Sequence, residues 1–480
     1  MYLRNLYPAP KQCREDESRR FVFGDSVTAR VGGLTREKAE RAAVLWNRFS
    51  CTASKLTLLP EPDADGFRLT IGTVPSCECR EGDRYALQVQ ETGIAVVGAD
   101  EAGLMDGIKT LVQLICPDVL EKGQESLYIS AAEIHDAPAI GFRAVHFCVF
   151  PDSSLYNLEK AIHLAGFLKM THVILEFWGT FPYECMPELA WQDHCFTKKE
   201  LKPLVELARS YGMEVIPMSN HFGHAAQSRA CYGRHVVLNR NPRLTRLFEP
   251  DGWTWCLSNP DTYALLSEVR AELAEFCGEG KYFHLGFDEA DSFATCDRCR
   301  KRVSHELLAE YLNRLTEDVC KTGRRPIVWH DQFLRRGDFG EGIIVANGEN
   351  KNTAGALELL DRRIIMADWQ YYYEKGFNPT TEYFMKRGFD TVVCPWDGHE
   401  NIRSLSADVK KLGAYGIILT TWDHLPNWLR DASFAAGCVW GESEAYPAHP
   451  LTESAYLLRT LYDSDGSFAS AGWNLNEVLQ

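Results

Sequence analysis

Lys281-Tyr-Phe-His-Leu-Gly-Phe-Asp-Glu-Ala290 is apolar for most of its length and then ends in two adjacent carboxylates, Asp288 and Glu289. The run 282–287 reads as a buried strand, and Gly286 permits a close backbone approach beside the acids. Neighbouring side chains on a strand point to opposite faces, so two adjacent acids share one pocket only where the strand breaks into a loop. Two buried like charges resist joint ionisation, so one carboxyl keeps its proton. A protonated carboxyl beside an ionised one can serve glycosidic or acyl hydrolysis. For an isolated Asp-Glu pair, capping of the next helix is the simpler reading. The surrounding sequence favours chemistry.

The same cadence recurs through the rest of the chain. Candidate strands at 144–150, 172–177, 214–218, 282–287, 326–329, 363–367, 391–394 and 416–420 alternate with helical patterns such as 158–169, 198–211 and 261–277. The last of these opens on Pro260 and Asp261, a helix start signal. Eight strand-helix units predict a (β/α)8 TIM barrel of the α/β class. A doubly wound sheet is the rival, but no Gly-rich phosphate loop follows the first strand. The apolar run 342–346 is a ninth candidate without a clear place. Before the barrel, Tyr85 to Gly98 reads as a hairpin turning at Gly93, followed by a helix near 102–115. The expected domains are a smaller α+β unit over 1–135, the catalytic barrel over 136–445 and a C-terminal helical segment over 446–480.

Composition sets wider bounds. The chain has 480 residues, 45% hydrophobic and 24% charged, with a formal net charge of -15. That charge argues against nucleic acid or an anionic membrane as partner. Met1 to Pro10 lacks the apolar core of a secretory signal, and no apolar run is long enough to span a bilayer. Most of the 16 cysteines sit singly in apolar surroundings, which suits reduced thiols and a cytoplasmic location. Cys296-Asp-Arg-Cys299 is a C-x-x-C pair that, with Cys256 or His305, could hold structural zinc; ordinary loop cysteines are the simpler reading.

In a barrel the active site lies at the carboxyl ends of the strands. Those ends carry Glu176 and Trp178; Asn220, His221 and His224; Asp288 and Glu289; Trp329, His330 and Asp331; Asp368, Trp369 and Tyr371; Trp396 and Asp397; and Trp422, Asp423 and His424. Any one of these has a packing explanation. Tryptophans interleaved with acids at several strand ends fit a sugar pocket better, because aromatic faces stack on pyranose rings while carboxylates bind hydroxyls. A divalent-metal site built from His221, His224, Asp288 and Asp331 is the competing chemistry.

With these residues assembled, the chain resembles glycoside hydrolase family 20, the β-N-acetylhexosaminidases. His284-Leu-Gly-Phe-Asp-Glu289 is similar to the family's His-x-Gly-Gly-Asp-Glu motif, with Phe287 replacing the second Gly. Asp106 to Leu114, Ile140-Gly-Phe-Arg143, Phe222-Gly-His224 and Trp255 to Pro260 resemble further family segments. Leu175 to Glu184, Ile327 to Asp331 and Gly416 to Trp422 look like the intracellular hexosaminidase D-like branch. The resemblance implies retaining, cofactor-free removal of terminal β-linked N-acetylhexosamine, with the substrate's own acetamido oxygen as nucleophile. It implies Glu289 as acid and base, kept protonated by burial beside Asp288, and Asp288 as the group that orients the acetamide. It also implies Arg143 on the outer hydroxyls, His224 in support, and Trp329, Trp369 and Trp422 as pocket walls, with Glu176, Asp368 and Asp397 as further substrate contacts. In place of the family's Asp-Asp after strand two stands Gly179-Thr180, with Glu176 and Glu184 as substitutes. The acetamide-binding Tyr must be replaced by Trp396 or one of Tyr371 to Tyr373. A glycan is the expected partner, and a homodimer face on the barrel-rim helices and 451–462 is a base-rate expectation. A retired, sugar-binding relative is the alternative.

Overall fold

In a computed structural model, residues 6–23, 27–32, 40, 56–60, 67–71, 73–74, 77–114, 116–117, 127–227, 235–340, 344–373, 378–422 and 425–441 are described. The segment 446–480 lies outside them. Eight parallel strands close a barrel: Phe142–Val149, His172–Phe177, Glu214–Met218, Tyr282–His284, Arg325–Trp329, Ile365–Asp368, Asp390–Val393 and Gly416–Thr421. Closure is direct, with Phe142 of the first strand paired to Gly416 of the eighth. The doubly wound alternative is thereby excluded. The ninth run is loop where it is described, with Ile344 and Ala346 buried.

Residue alternation explains the two cores. Ala144, Ile174, Ile216, Ile327, Ile365, Val392 and Ile418 point inward and fill the barrel, with Tyr282 and Phe142 near its lower end. Their chain neighbours Val145, Val173, Val215, Val328 and Ile417 point outward and meet the helices. Helices Leu155–Phe167, Lys198–Ser210, Pro260–Cys277, Ser304–Lys321, Pro379–Met385, His399–Leu412 and Leu425–Trp440 cover that outer face. Between the fifth and sixth strands the cover is instead a 3₁₀ segment, Asn350–Leu359. Local signals set the boundaries. Thr197 and Glu200 form a reciprocal capping box, and Asn259 caps the helix whose first residue is Pro260.

Ahead of the barrel lies a mixed sheet, ordered Gln12–Val22, Leu127–Asp136, Tyr85–Gln90, Gly93–Gly98, Phe67–Ile71, Val27–Gly32 and Leu56–Pro60. Helix Glu101–Gln113, capped by Asp100, buries Leu104, Ile108 and Leu111 against it. The chain passes from sheet to barrel between Asp136 and Phe142. That crossing is tied by buried polar groups. Asp136 accepts from Tyr85 Oη at 2.6 Å and from Trp440 Nε1 at 3.0 Å. Lys169 Nζ lies 3.7 Å from the same carboxylate.

Arg143 belongs to this junction and not to a sugar site. It sits at the start of the first strand, the end of the barrel away from the carboxyl termini. Its guanidinium donates to the backbone oxygens of Ile140 at 2.8 Å and Lys169 at 2.8 Å. It also lies 5.0 Å over the Trp440 ring. A residue that opens a parallel strand faces the bottom of the barrel, which corrects the expected hydroxyl-binding role.

Candidate active site

The fourth strand is shorter than its apolar sequence predicts, ending at His284. Beyond it the backbone turns into positive φ at Gly286 (73°), Phe287 (89°) and Glu289 (47°). Such angles cost a non-glycine residue about 1–3 kcal/mol each, so the surroundings must hold them. The Phe287 ring is buried, 5.4 Å from Phe222 and 6.4 Å from Tyr311. Glu289 N donates to Asp331 Oδ2 at 3.0 Å, and Trp253 Nε1 donates to Glu289 O at 2.7 Å. Strand alternation is broken, and both carboxylates turn to one partner. His224 Nε2 stands 3.1 Å from Asp288 Oδ2 and 3.3 Å from Glu289 Oε2.

Two glycines make this approach possible. A Cβ on Gly223 would sit 2.0 Å from Asp288 O, and one on Gly286 would sit 2.1 Å from Asn220 Oδ1. His224 itself is held edge-on between Trp178 (5.2 Å) and Trp253 (4.7 Å). Below it, Glu176 is buried and doubly engaged. Asn220 Nδ2 donates to it at 2.7 Å and His146 Nε2 lies 2.9 Å away. Burial would raise the Glu176 pKa, but these bonds bring it below the ordinary value, so it is an anion beneath the imidazole.

The protons are distributed differently from the sequence expectation. Burial pushes Asp288 up to about 6, helped by Asp331 and Glu289 and opposed by His224. Glu289 is held below its ordinary value, chiefly by the His224 hydrogen bond, and its side chain is 48% exposed. Burial works against a charged His224, yet Asp288 and Glu289 hold it protonated well above the usual imidazole range. The electrostatics of the centre favour a charged His224, an ionised Glu289 and an Asp288 whose pKa is raised. Burial falls on Asp288, while solvent reaches Glu289. That corrects the expectation that Glu289 is the buried, protonated partner.

Aromatic side chains surround the rest of the mouth. Tyr371 is 5.1 Å from Trp369 and 5.5 Å from Trp396, and its hydroxyl accepts from Trp422 Nε1. It also stands near enough to Asp288 to feel its charge. Tyr372 is 65% exposed and points away, so Tyr371 is the tyrosine the fold brings to the site. Trp369, Trp396 and Trp422 are partly open, as is Asp397.

Three expected substrate contacts are placed otherwise. Trp329 is completely buried under Trp422 and against His284, so it packs beneath the barrel mouth and presents no open face. Asp368 is enclosed and accepts from Thr380 Oγ1, Thr381 Oγ1, Asn378 and Gln370 at 2.7–3.3 Å, leaving its oxygens engaged in fastening loops. Glu176 supports the centre from below. Glu184 is 80% exposed and pairs with Lys198 at 2.7 Å. Asp423 and His424 lie outside the described residues. The rival metal set is not assembled. His221 turns to Ser219 O at 2.7 Å, and the triad gathered at one point is His224, Asp288 and Glu289. Trp253 is the site residue that the sequence reading passed over, its signal being its position next to Trp255 before a capped helix.

Comparison with known proteins fits this arrangement. The family model described as "Glycosyl hydrolase family 20, catalytic domain" matches residues 179–428, and "Glycosyl hydrolase family 20, domain 2" matches residues 3–137. The beta-hexosaminidase of Porphyromonas gingivalis (strain ATCC BAA-308 / W83) is 24% identical over 398 residues, covering 73% of this chain and 48% of that one. The human beta-hexosaminidase subunit beta is 22% identical over 304 residues, covering 55% and 50%. The chain thus spans about half the length of these curated relatives. Among solved structures, the beta-N-acetylhexosaminidase of Bacteroides fragilis NCTC 9343 superposes with a TM-score of 0.68 at 17% identity, over 98% of this chain and 96% of that one. The Streptomyces plicatus N-acetyl-beta-hexosaminidase in complex with Thio-NAglucal also gives 0.68, at 18% identity, over 97% and 96%. With a closed barrel, a carboxylate pair at its mouth and both family domains matched in order, this chain belongs to glycoside hydrolase family 20.

Proposed function

We propose that the protein is a retaining exo-β-N-acetylhexosaminidase acting on terminal β-linked GlcNAc or GalNAc of a glycan, with the substrate's 2-acetamido oxygen as nucleophile. The observation that carries the reading is the single imidazole, His224 Nε2, shared by Asp288 and Glu289 at the barrel mouth. In this reading the acetamide N–H donates to Asp288 in its ionised form. The sugar covers Glu289, removes its water and raises its pKa. The proton held by the His224 imidazolium moves to Glu289, leaving a neutral imidazole, and Glu289 passes it to the leaving oxygen as the acetamido oxygen attacks. Ionised Asp288 steadies the oxazolinium ion. Glu289, now a base, activates the water that opens it. Tyr371 donates to the acetamido oxygen, and Trp369, Trp396 and Trp422 stack on ring and acetamide. No cofactor enters this scheme. A cytoplasmic setting and a place in the hexosaminidase D-like branch belong to the same proposal, supported by the singly buried thiols Cys277 and Cys394 and by the Leu175–Glu184 segment.

The test compares release of 4-nitrophenol from β-N-acetylglucosaminide, β-N-acetylgalactosaminide and plain β-glucoside by wild type and Glu289→Gln. Cleavage confined to the acetamido sugars is the expected result, and their ratio gives the gluco or galacto preference. Binding of the sugars without cleavage would transfer the reading to a sugar-binding protein. Equal cleavage of the plain glucoside would remove the acetamide from the mechanism.

A further inference from the structure

Behind the catalytic loop, four ligating side chains from three points of the chain converge. They are Glu249, Cys256, Cys296 and Cys299, and one donor atom from each lies within 4.8 Å of all the others. We propose that this cluster is a structural zinc site, which pins the segments that hold the carboxylate-bearing loop.

The distances fit that ion. Zinc–sulfur bonds of about 2.3 Å in a tetrahedron place the sulfurs about 3.8 Å apart. Cys256 Sγ is 3.5 Å from Cys296 Sγ and 3.7 Å from Cys299 Sγ. A disulfide would need about 2.05 Å. Cys299 N donates to Cys296 Sγ at 3.3 Å, the amide-to-sulfur bond that a C-x-x-C turn gives a thiolate.

The fourth donor is a carboxylate and not the histidine suggested by sequence. His305 is turned to Asn352, with its Nδ1 3.5 Å from Nδ2. Glu249 is fully buried. Its Oε2 accepts from Thr295 N at 3.0 Å, Thr295 Oγ1 at 3.2 Å and Cys296 N at 2.6 Å. Its Oε1 is buried and has no hydrogen-bond partner. One oxygen oriented by backbone donors and the other left over is the arrangement of a monodentate carboxylate ligand with its outer support in place. Three thiolates and a carboxylate around a divalent ion leave a net negative charge; Arg298 lies within the C-x-x-C turn, and Arg300, Lys301 and Arg302 follow it in sequence. Sulfur-rich, four-donor sets select zinc over hard cations, and all four positions are filled by protein, as in a structural site.

The consequence for the active site runs through two tryptophans. Cys256 follows Trp253 and Trp255, whose indole N–H groups donate to Glu289 O at 2.7 Å and Asn220 O at 2.9 Å. Cys296 and Cys299 follow Glu289 by seven and ten residues. The ion therefore ties both flanks of the strained Phe287–Glu289 turn.

The full chain, purified under reducing conditions and dialysed into metal-free buffer, should carry about one zinc per chain by plasma mass spectrometry. Exchange with cobalt should give sulfur-to-cobalt charge-transfer absorption and tetrahedral visible bands. Cys256→Ser and Glu249→Gln should each lower the retained zinc, and zinc removal should expose three extra thiols to titration. The wild-type metal content and cobalt spectrum decide the matter even where a variant fails to fold. No stoichiometric metal after zinc supplementation, iron in place of zinc, a Cys256–Cys296 disulfide, or full zinc content in folded Cys256→Ser would each overturn the proposal.

Discussion

At the residue scale the centre is governed by His224. Because its cation holds Glu289 down and restrains Asp288 near 6, the protonation of Asp288 sets the acid limb of the free enzyme. In the proposed mechanism Asp288 accepts the acetamide N–H in its ionised form, so kcat/KM should fall as pH drops through about 6. In His224→Asn the cation is gone, Asp288 rises, and the limb should move to higher pH; an unmoved limb would remove this electrostatic link. Glu289→Gln should lower kcat by roughly 10²–10⁴-fold for poor leaving groups and far less for 4-nitrophenol, which leaves without a proton. Both carboxylates were legible in the sequence, as a pair ending an apolar run. Which of them holds the proton was not, since that depends on an imidazole 64 residues away in the chain. Arg143 misled for a related reason. Its place at the start of a strand put it at the bottom of the barrel, where it stacks on Trp440. Arg143→Met should therefore lower stability by about 3 kcal/mol or more through lost charged hydrogen bonds, with KM unchanged in the folded fraction.

At the scale of elements, the decisive feature is a strand that stops early. Periodicity located all eight barrel strands to within a few residues, because each one is apolar on both faces. Hydrophobicity alone could not show that the fourth ends at His284, since Leu285 and Phe287 remain buried after the backbone has left the strand. Gly223→Ala tests that geometry. Its Cβ would meet Asp288 O at 2.0 Å, so the chain must shift by an amount that misplaces the carboxylate. A displacement near 1 Å costs about 10²-fold in rate, so kcat should fall by that order while circular dichroism keeps the barrel signature. Wild-type kcat in that variant would show that the Asp288 backbone is not fixed by this contact.

At the scale of the whole molecule, the sheet domain and the barrel are joined by a buried charge pair. Lys169 has its pKa lowered to about 8 by burial, with Asp136 opposing the shift. In its ordinary state the amine binds a proton up to 10.5, while the folded protein releases it near 8, so Lys169 makes stability rise with pH across that window. Asp136→Ala leaves the ammonium unpaired and should cost about 3–5 kcal/mol at neutral pH. The loss should shrink in thermal melts above pH 9, where Lys169 can be neutral. A pH-independent loss would mean that the Trp440 and Tyr85 hydrogen bonds carry the junction. This tie was invisible in the sequence because its members are drawn from four distant segments.

The central claim is that the substrate's acetamido oxygen, oriented by Asp288, attacks the anomeric carbon. It is tested most directly by kcat/KM for 4-nitrophenyl glucosaminides bearing acetyl, monofluoroacetyl, difluoroacetyl and trifluoroacetyl groups. Fluorine withdraws electrons from the carbonyl oxygen with little change in size. The account predicts a steep, progressive fall along the series in wild type; a flat series would contradict it and hand the nucleophile's role to an enzyme carboxylate or to water.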